Sequence, residues 1–334
     1  MTVQSIGDQA RAFAMQSASS RIKTTLATLT AELSSGEVSD LGARLGGNTQ
    51  NLAGIEARLA ILSQFQSNAA EAAAHTKGMQ DALSAIQSAT AQLGQNLYAA
   101  PAASTEGLAA ARSAEAASLL QTAIGQLNGA VGQRFLFSGT ASDTLPLASA
   151  EVILSELTTL VSGLTTAEDV AQAVSGWFDA PSGGFADVAY RGGAGGQLMP
   201  IGEDTTLSLT TTALSPSIRD SLKGLATAAL LDRGALAANL QEGQELLASA
   251  GKALMDNSSA LIAEMSRVGY AQQVIASART QGDAATATLQ TARNTLREAD
   301  PFATSTAISD AETKLQMLYS VIGRLSQLKL ADYI

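Results

Sequence analysis

Cysteine is absent from all 334 residues, which excludes disulfides, thiolate metal sites and a thiol nucleophile. Histidine is reduced to one, His75. A Ser-His-Asp triad would have to use it, and no G-x-S-x-G elbow accompanies it. His75 lies in the helical run Ala74–His75–Thr76 and reads as a surface or half-buried helix histidine. Charge is also scarce: 15% of the residues are charged, against about 25% in a typical soluble protein. An extended helical protein with so few charges is expected to have part of its outer surface covered by neighbours. What charge there is sums to −10, which argues against nucleic-acid binding, since that needs a basic footprint. These gaps predict a chain that is not an enzyme and holds no cofactor or metal.

Long apolar runs are missing too. The uncharged stretches 82–105 and 116–133 are interrupted by Gln, Asn, Ser and Thr, which are costly in hydrocarbon, so no membrane insertion is expected. Met1–Ala10 lacks the basic and apolar regions of a secretory signal. Four of the six prolines, Pro146, Pro181, Pro200 and Pro216, fall in one central stretch, while residues 1–100 and 217–300 have none. Proline-free segments rich in alanine and leucine favour long helices.

Periodicity locates those helices. Ile22, Leu26, Leu29 and Leu33 follow the 4-3-4 spacing of a coiled-coil seam, which stops at Ser34–Ser35–Gly36. Residues 37–50 read as a glycine-rich connector with little regular structure. A second helix is predicted from Gln50 to Tyr98, ended by Pro101 and roughly 70 Å long at 1.5 Å per residue. A third, Glu106–Val131, leads into Arg134–Phe135–Leu136–Phe137–Ser138–Gly139–Thr140, a strand and turn. In the centre, Ala148–Leu164 and Thr166–Phe178 are predicted helices, the second with Thr165 and Glu168 as a capping box. Phe185–Tyr190, Gln197–Ile201 and Thr205–Thr211 are predicted strands. Leu247, Leu254, Leu261, Val268, Ile275, Leu289 and Leu296 then share one heptad position, with Gly282 the only gap. Such a run implies a helical partner along its length. Asp300–Pro301 breaks it before a last helix carrying Ile308, Leu315, Leu318, Ile322, Leu325 and Leu328.

Candidate chemistry is thin elsewhere. Arg191–Gly192–Gly193–Ala194–Gly195–Gly196 does not fit G-x-G-x-x-G, and Gly251–Lys252 lacks the rest of a P-loop. Glu203–Asp204 reads as a solvated turn, Asn257–Ser258–Ser259 as a chance glycosylation triplet inside a helix, and Trp177–Phe178 as a small core. The expected fold is mainly α, with long coiled-coil-like helices from both termini packed as a rod and a small α+β domain inserted in the middle. Its parts would be a terminal coiled-coil domain (1–36 and 301–334), a helical rod domain (37–140 and 216–300) and an inserted mixed α/β outer domain (141–215).

Three passages resemble the axial proteins of the bacterial flagellum. Leu33–Ser34–Ser35–Gly36 ends a heptad helix near the N-terminus, as in flagellins and their junction relatives. Arg134–Phe135–Leu136–Phe137–Ser138–Gly139–Thr140 is similar to the G-R-Y-L-F-G-G-T motif of the hook-associated protein 3 family. Leu325–Ser326–Gln327–Leu328–Lys329–Leu330–Ala331–Asp332–Tyr333–Ile334 is similar to that family's L-x-D-Y-L ending. The connector after Gly36 departs from the family in lacking D-D-P, and the opening residues lack its usual start. The resemblance implies a hook–filament junction subunit, exported through the flagellar type III channel without a cleaved signal and located outside the cell. Its implied partners are an export chaperone, the first hook-associated junction protein, flagellin and identical subunits in a ring. The assembly interface would be Ile22, Leu26, Leu29 and Leu33 with Leu315, Leu318, Ile322, Leu325 and Leu328, docking only within the assembly because a short coiled-coil pair is marginal alone. Flagellin itself and an intracellular coiled-coil adaptor are the alternatives.

Overall fold

Alanine-rich segments without proline leave the backbone little alternative to helix, and the computed structural model is mainly α. It describes residues 6–99 and 105–331, with side chains for 9–99 and 105–325; Pro101 lies outside these. The chain divides into two compact units, Met1–Ile61 with Ala284–Ile334, and Leu62–Asp283.

The first unit contains α1 (Ile6–Ser35), α2 (Leu41–Arg44), the start of α3 (Gln50–Tyr98), the end of α8 (Leu240–Arg297) and α9 (Pro301–Ala331). Gly36 ends α1 at φ +73°, a left-handed conformation that glycine adopts without steric cost. The connector is more ordered than its glycines suggest. Asp40 accepts a hydrogen bond from the Ala43 amide at 2.9 Å and so starts the one-turn helix α2. Asp300 does the same for α9, accepting from the Phe302 and Ala303 amides at 2.9 and 3.1 Å, with Pro301 at the first helical position.

The second unit holds the rest of α3 and α8 with α4 (Glu106–Leu127), β1 (Ala130–Val131), β2 (Arg134–Phe135), α5 (Ala150–Leu160), α6 (Ala167–Asp179), a π-helical turn (Phe185–Ala189), β3 (Gln197–Pro200), β4 (Thr206–Leu209) and α7 (Pro216–Ala229). One continuous apolar core includes Met79, Leu83, Leu120, Phe137, Phe178 and Leu254. Leu247, Leu254, Leu261, Val268 and Ile275 of the heptad row are all buried. Gln66 of α3 bonds Asp283 of α8 at 2.8 Å, and Gly94 of α3 lies against Gly251 of α8, so these helices run antiparallel here.

Four local expectations are corrected. Helix α4 ends at Leu127 and not Val131, because the Asn128 side chain is drawn into a pair of hydrogen bonds with the Leu147 backbone, 2.9 and 3.0 Å long. The chain then enters a hairpin that pairs Val131 with Arg134 around Gly132 at φ +62°. Phe185–Ala189 is a helical turn and not a strand. Its two buried residues are Phe185 and Ala189, a helical spacing, and Asp187 accepts from the Gly183 amide at 2.5 Å. The N-cap of α6 is Thr166 and not Thr165: its hydroxyl accepts from the Asp169 amide at 3.2 Å, while Glu242 takes the Ala167 amide at 2.6 Å. His75 is neither exposed nor half-buried but 3% accessible.

The Arg134–Thr140 passage fastens the helices to the mixed α/β segment. Arg134 pairs with Glu71 of α3 at 2.9 Å, and Phe137 is fully buried. The Phe137 carbonyl accepts from the Ala213 amide at 3.0 Å and the Ser138 carbonyl from the Gly193 amide at 2.8 Å. Gly139 sits so close to the 192–196 loop that a Cβ would lie 2.4 Å from the Gly193 carbonyl oxygen. The Gly-rich loop is therefore a close-approach surface for the Ser-Gly-Thr turn, with Thr140 donating to the Ala194 carbonyl at 3.1 Å.

A Cβ added at Gly251 would stand 2.7 Å from Leu97 Cβ and 2.8 Å from both the Gly94 oxygen and the Tyr98 nitrogen. Gly251→Ala is expected to lower stability in urea by about 1–3 kcal/mol through overpacking, despite alanine's better helix propensity. Gly269→Ala, in the same helix with nothing within 4 Å, is expected to raise it by about 0.5–1 kcal/mol. Equal effects at both positions would refute the backbone contact.

Candidate assembly surface

Helices α1 and α9 pack against each other in the first unit. The Ala299 amide bonds the Gly36 carbonyl at 2.9 Å and the Val38 amide bonds the Arg297 carbonyl at 2.8 Å, placing the end of α1 beside the start of α9. Farther along, Lys23 Nζ lies 5.9 Å from the centre of the Tyr319 ring. The two helices are thus antiparallel.

Their shared seam is shallow. Ile22, Leu26 and Leu29 on α1 and Leu315, Leu318 and Ile322 on α9 are only half-buried. On α9 the buried positions are the small residues Thr304 and Ala311, and no described side chain of α1 is buried. Leu33 and Leu325, toward opposite ends of the pair, are exposed, and the Leu328 side chain lies outside the described residues. A straight helix drifts about 20° per heptad against a 3.5-residue repeat, which takes the ends of a heptad row off the contact line. Other apolar side chains point fully outward: Phe13 is 74%, Phe302 82% and Met317 61% exposed.

The joint between this pair and the neighbouring helices is polar. Arg297 of α8 bonds Glu37 at 2.7 Å and lies 3.7 Å from Glu56 of α3, while Glu37 and Glu298 form an antiparallel backbone bridge. The sequence carries no pattern that marks this contact, because its members come from three separated segments. Lys23 and Tyr319 were likewise invisible to heptad reading. On the same helices, Thr24, Thr28, Thr30, Thr306 and Thr313 each donate their hydroxyl to the carbonyl four residues earlier, at 2.7–3.1 Å.

Among the described residues no group of three His, Cys, Asp or Glu side chains could hold a metal. Nor is any described helix long and apolar enough to cross a membrane. Among the described residues the one deeply buried carboxylate, Glu264 at 2% exposure, accepts a hydrogen bond from Thr211 and pairs with Arg267 at 2.5 Å. It ties the segment after β4 to α8.

No family model matches the sequence, and no curated protein matches it as a relative. Solved structures do resemble the fold. A protein of Vibrio parahaemolyticus described as a flagellar hook-associated protein is 15% identical, with 73% of this chain and 95% of that one aligned at a TM-score of 0.51. FlgL of Bacillus cereus is 14% identical, with 72% of this chain and all of that one aligned at a TM-score of 0.48. The first likeness establishes a shared mainly α architecture of long helices with a small sheet-bearing region.

Hydrogen bonds from Lys23 first, and then Ser19, hold the Tyr319 phenol below the usual tyrosine value. Lys23→Met is expected to return it toward about 10, followed by NMR titration of labelled tyrosine rings. A wild-type Tyr319 that already titrates there would refute the Lys23–Tyr319 contact.

Proposed function

We propose that this chain is a structural subunit of the bacterial flagellum that joins hook to filament, outside the cell. The observation that carries this reading is the half-open apolar seam of the α1–α9 pair in a fold shared with a flagellar hook-associated protein. A two-helix pair with Ile22, Leu26, Leu29, Leu315, Leu318 and Ile322 each only half-covered gains little of the roughly 25 cal/mol per Å² that apolar burial offers. Further helices laid along it would complete the burial. Leu33 and Leu325 extend the same surface at its ends. Copies of the chain arranged in a ring would supply those helices. The first hook-associated protein would meet one side of the ring and flagellin the other. Transit through the flagellar type III channel suits a chain with no disulfide to lock it, with a chaperone shielding the terminal helices beforehand.

Electron microscopy and a secretion assay of a deletion strain test the junction role. Hooks without filaments, with monomeric flagellin in the medium, are expected; intact filaments would overturn the reading, and loss of the filament protein itself would indicate flagellin. Complementation with Leu318→Asp is expected to restore secretion of the chain but not filaments, because a buried carboxylate in the completed seam costs several kcal/mol. Full motility from that variant would remove the terminal helices from the assembly contact.

A further inference from the structure

His75 has no part in the assembly reading, yet it occupies a demanding position. It is 3% exposed on α3, under the chain that leaves hairpin β1–β2. The Leu136 backbone lies beside the ring, and its Nε2 is enclosed with no partner among the described residues. One turn on, Gly78 leaves room for the Leu136 side chain, whose Cδ1 lies 3.1 Å from where a Cβ would stand. The charged groups facing the ring are Glu71 on its own helix and Arg134 on β2, which pair with each other at 2.9 Å.

We infer that His75 is an acid-sensitive clasp: neutral, it seats the Arg134–Phe137 segment on α3, and protonated it releases that segment. A second proton on the ring would sit at the enclosed Nε2, where nothing accepts its hydrogen bond, and would place a cation beside Arg134. Burial first, and then Arg134, hold the imidazole below its ordinary value, outweighing the Leu136 backbone and Glu71. The neutral form is therefore the one that fits. Stability from the closed clasp is complete above the ordinary histidine value of about 6.5 and is lost as pH falls from there toward the folded value. With no cysteine and a single histidine in the chain, no other side chain has its ordinary pKa between about pH 5 and 8, so the response is attributable.

Amide hydrogen exchange at Phe135 and Leu136, whose N–H groups bond the Ser142 and Gly129 carbonyls at 2.8 and 3.0 Å, reads the clasp directly. After correction for intrinsic exchange, lowering the pH from about 7.5 to 5.5 is expected to raise the opening constant, by at most about tenfold, the ceiling set by an open-state pKa near 6.5. In His75→Gln, which keeps a donor and cannot be charged, the rise is expected to vanish. An unchanged opening constant in the wild type, or an equal rise in the variant, would overturn the inference. Should the variant fail to fold, NMR titration of the wild-type ring decides alone: a pKa at or above 6.5 refutes the clasp.

Discussion

Helix backbones meet with almost nothing between them where Gly94 of α3 faces Gly251 of α8, and most of the second unit's packing follows from that nearness. A Cβ at Gly224 of α7 would come within 2.6 Å of Leu254, and one at Gly243 within 2.8 Å of Leu231, so α7 and the turn after it are drawn against the same helix. Close approach lets small side chains interlock at the density protein interiors require. It also explains how a chain with only 4% aromatic residues closes a core. The same device recurs away from the helices, where Gly139 and the 192–196 loop meet backbone to backbone.

The two units use one composition to opposite ends. In Leu62–Asp283 the heptad leucines of α8 are covered by α3, α7 and the mixed α/β segment. In the other unit two helices alone share a seam, and even its central positions remain half-covered. Helix pairs in water gain their stability from tertiary packing more than from intrinsic propensity. The shallow seam is thus the place where this fold is least complete by itself.

Features carried by local sequence were legible in advance. The Gln50–Tyr98 span, the stop at Gly36, the break at Asp300–Pro301 and the heptad row of α8, buried from Leu247 to Ile275, each depend on residues within a few turns of one another. What escaped was set by partners distant in the chain. His75 is buried because Leu136 folds over it, and Glu264 because Thr211 reaches it. Phe185 could not be told from a strand residue, since a short apolar run bounded by glycines suits either state. Thr165 and Thr166 are equally able caps, and the choice fell to the one with Asp169 three residues on. At the candidate surface the heptads located both helices, and Ile22, Leu26, Leu29, Leu315, Leu318 and Ile322 are half-buried along them, while the ionic joint of Arg297 with Glu37 and Glu56 and the Lys23–Tyr319 contact left no periodic trace.

The threonines along α1 and α9 bear on how such a surface can be wet at one moment and dry at the next. A hydroxyl has a single proton to donate, and here Thr24, Thr28, Thr30, Thr306 and Thr313 have already given theirs to a carbonyl of their own helix. Water covering these helices is held mainly by spare lone pairs, a weaker grip than that on a lysine or glutamate. Stripping it away leaves no orphaned donor behind, and an orphaned donor is the part of desolvation that costs about 1–3 kcal/mol per group. These five hydroxyls are, in this sense, already prepared for a dry environment, and a neighbouring helix could settle on them without having to supply matching acceptors.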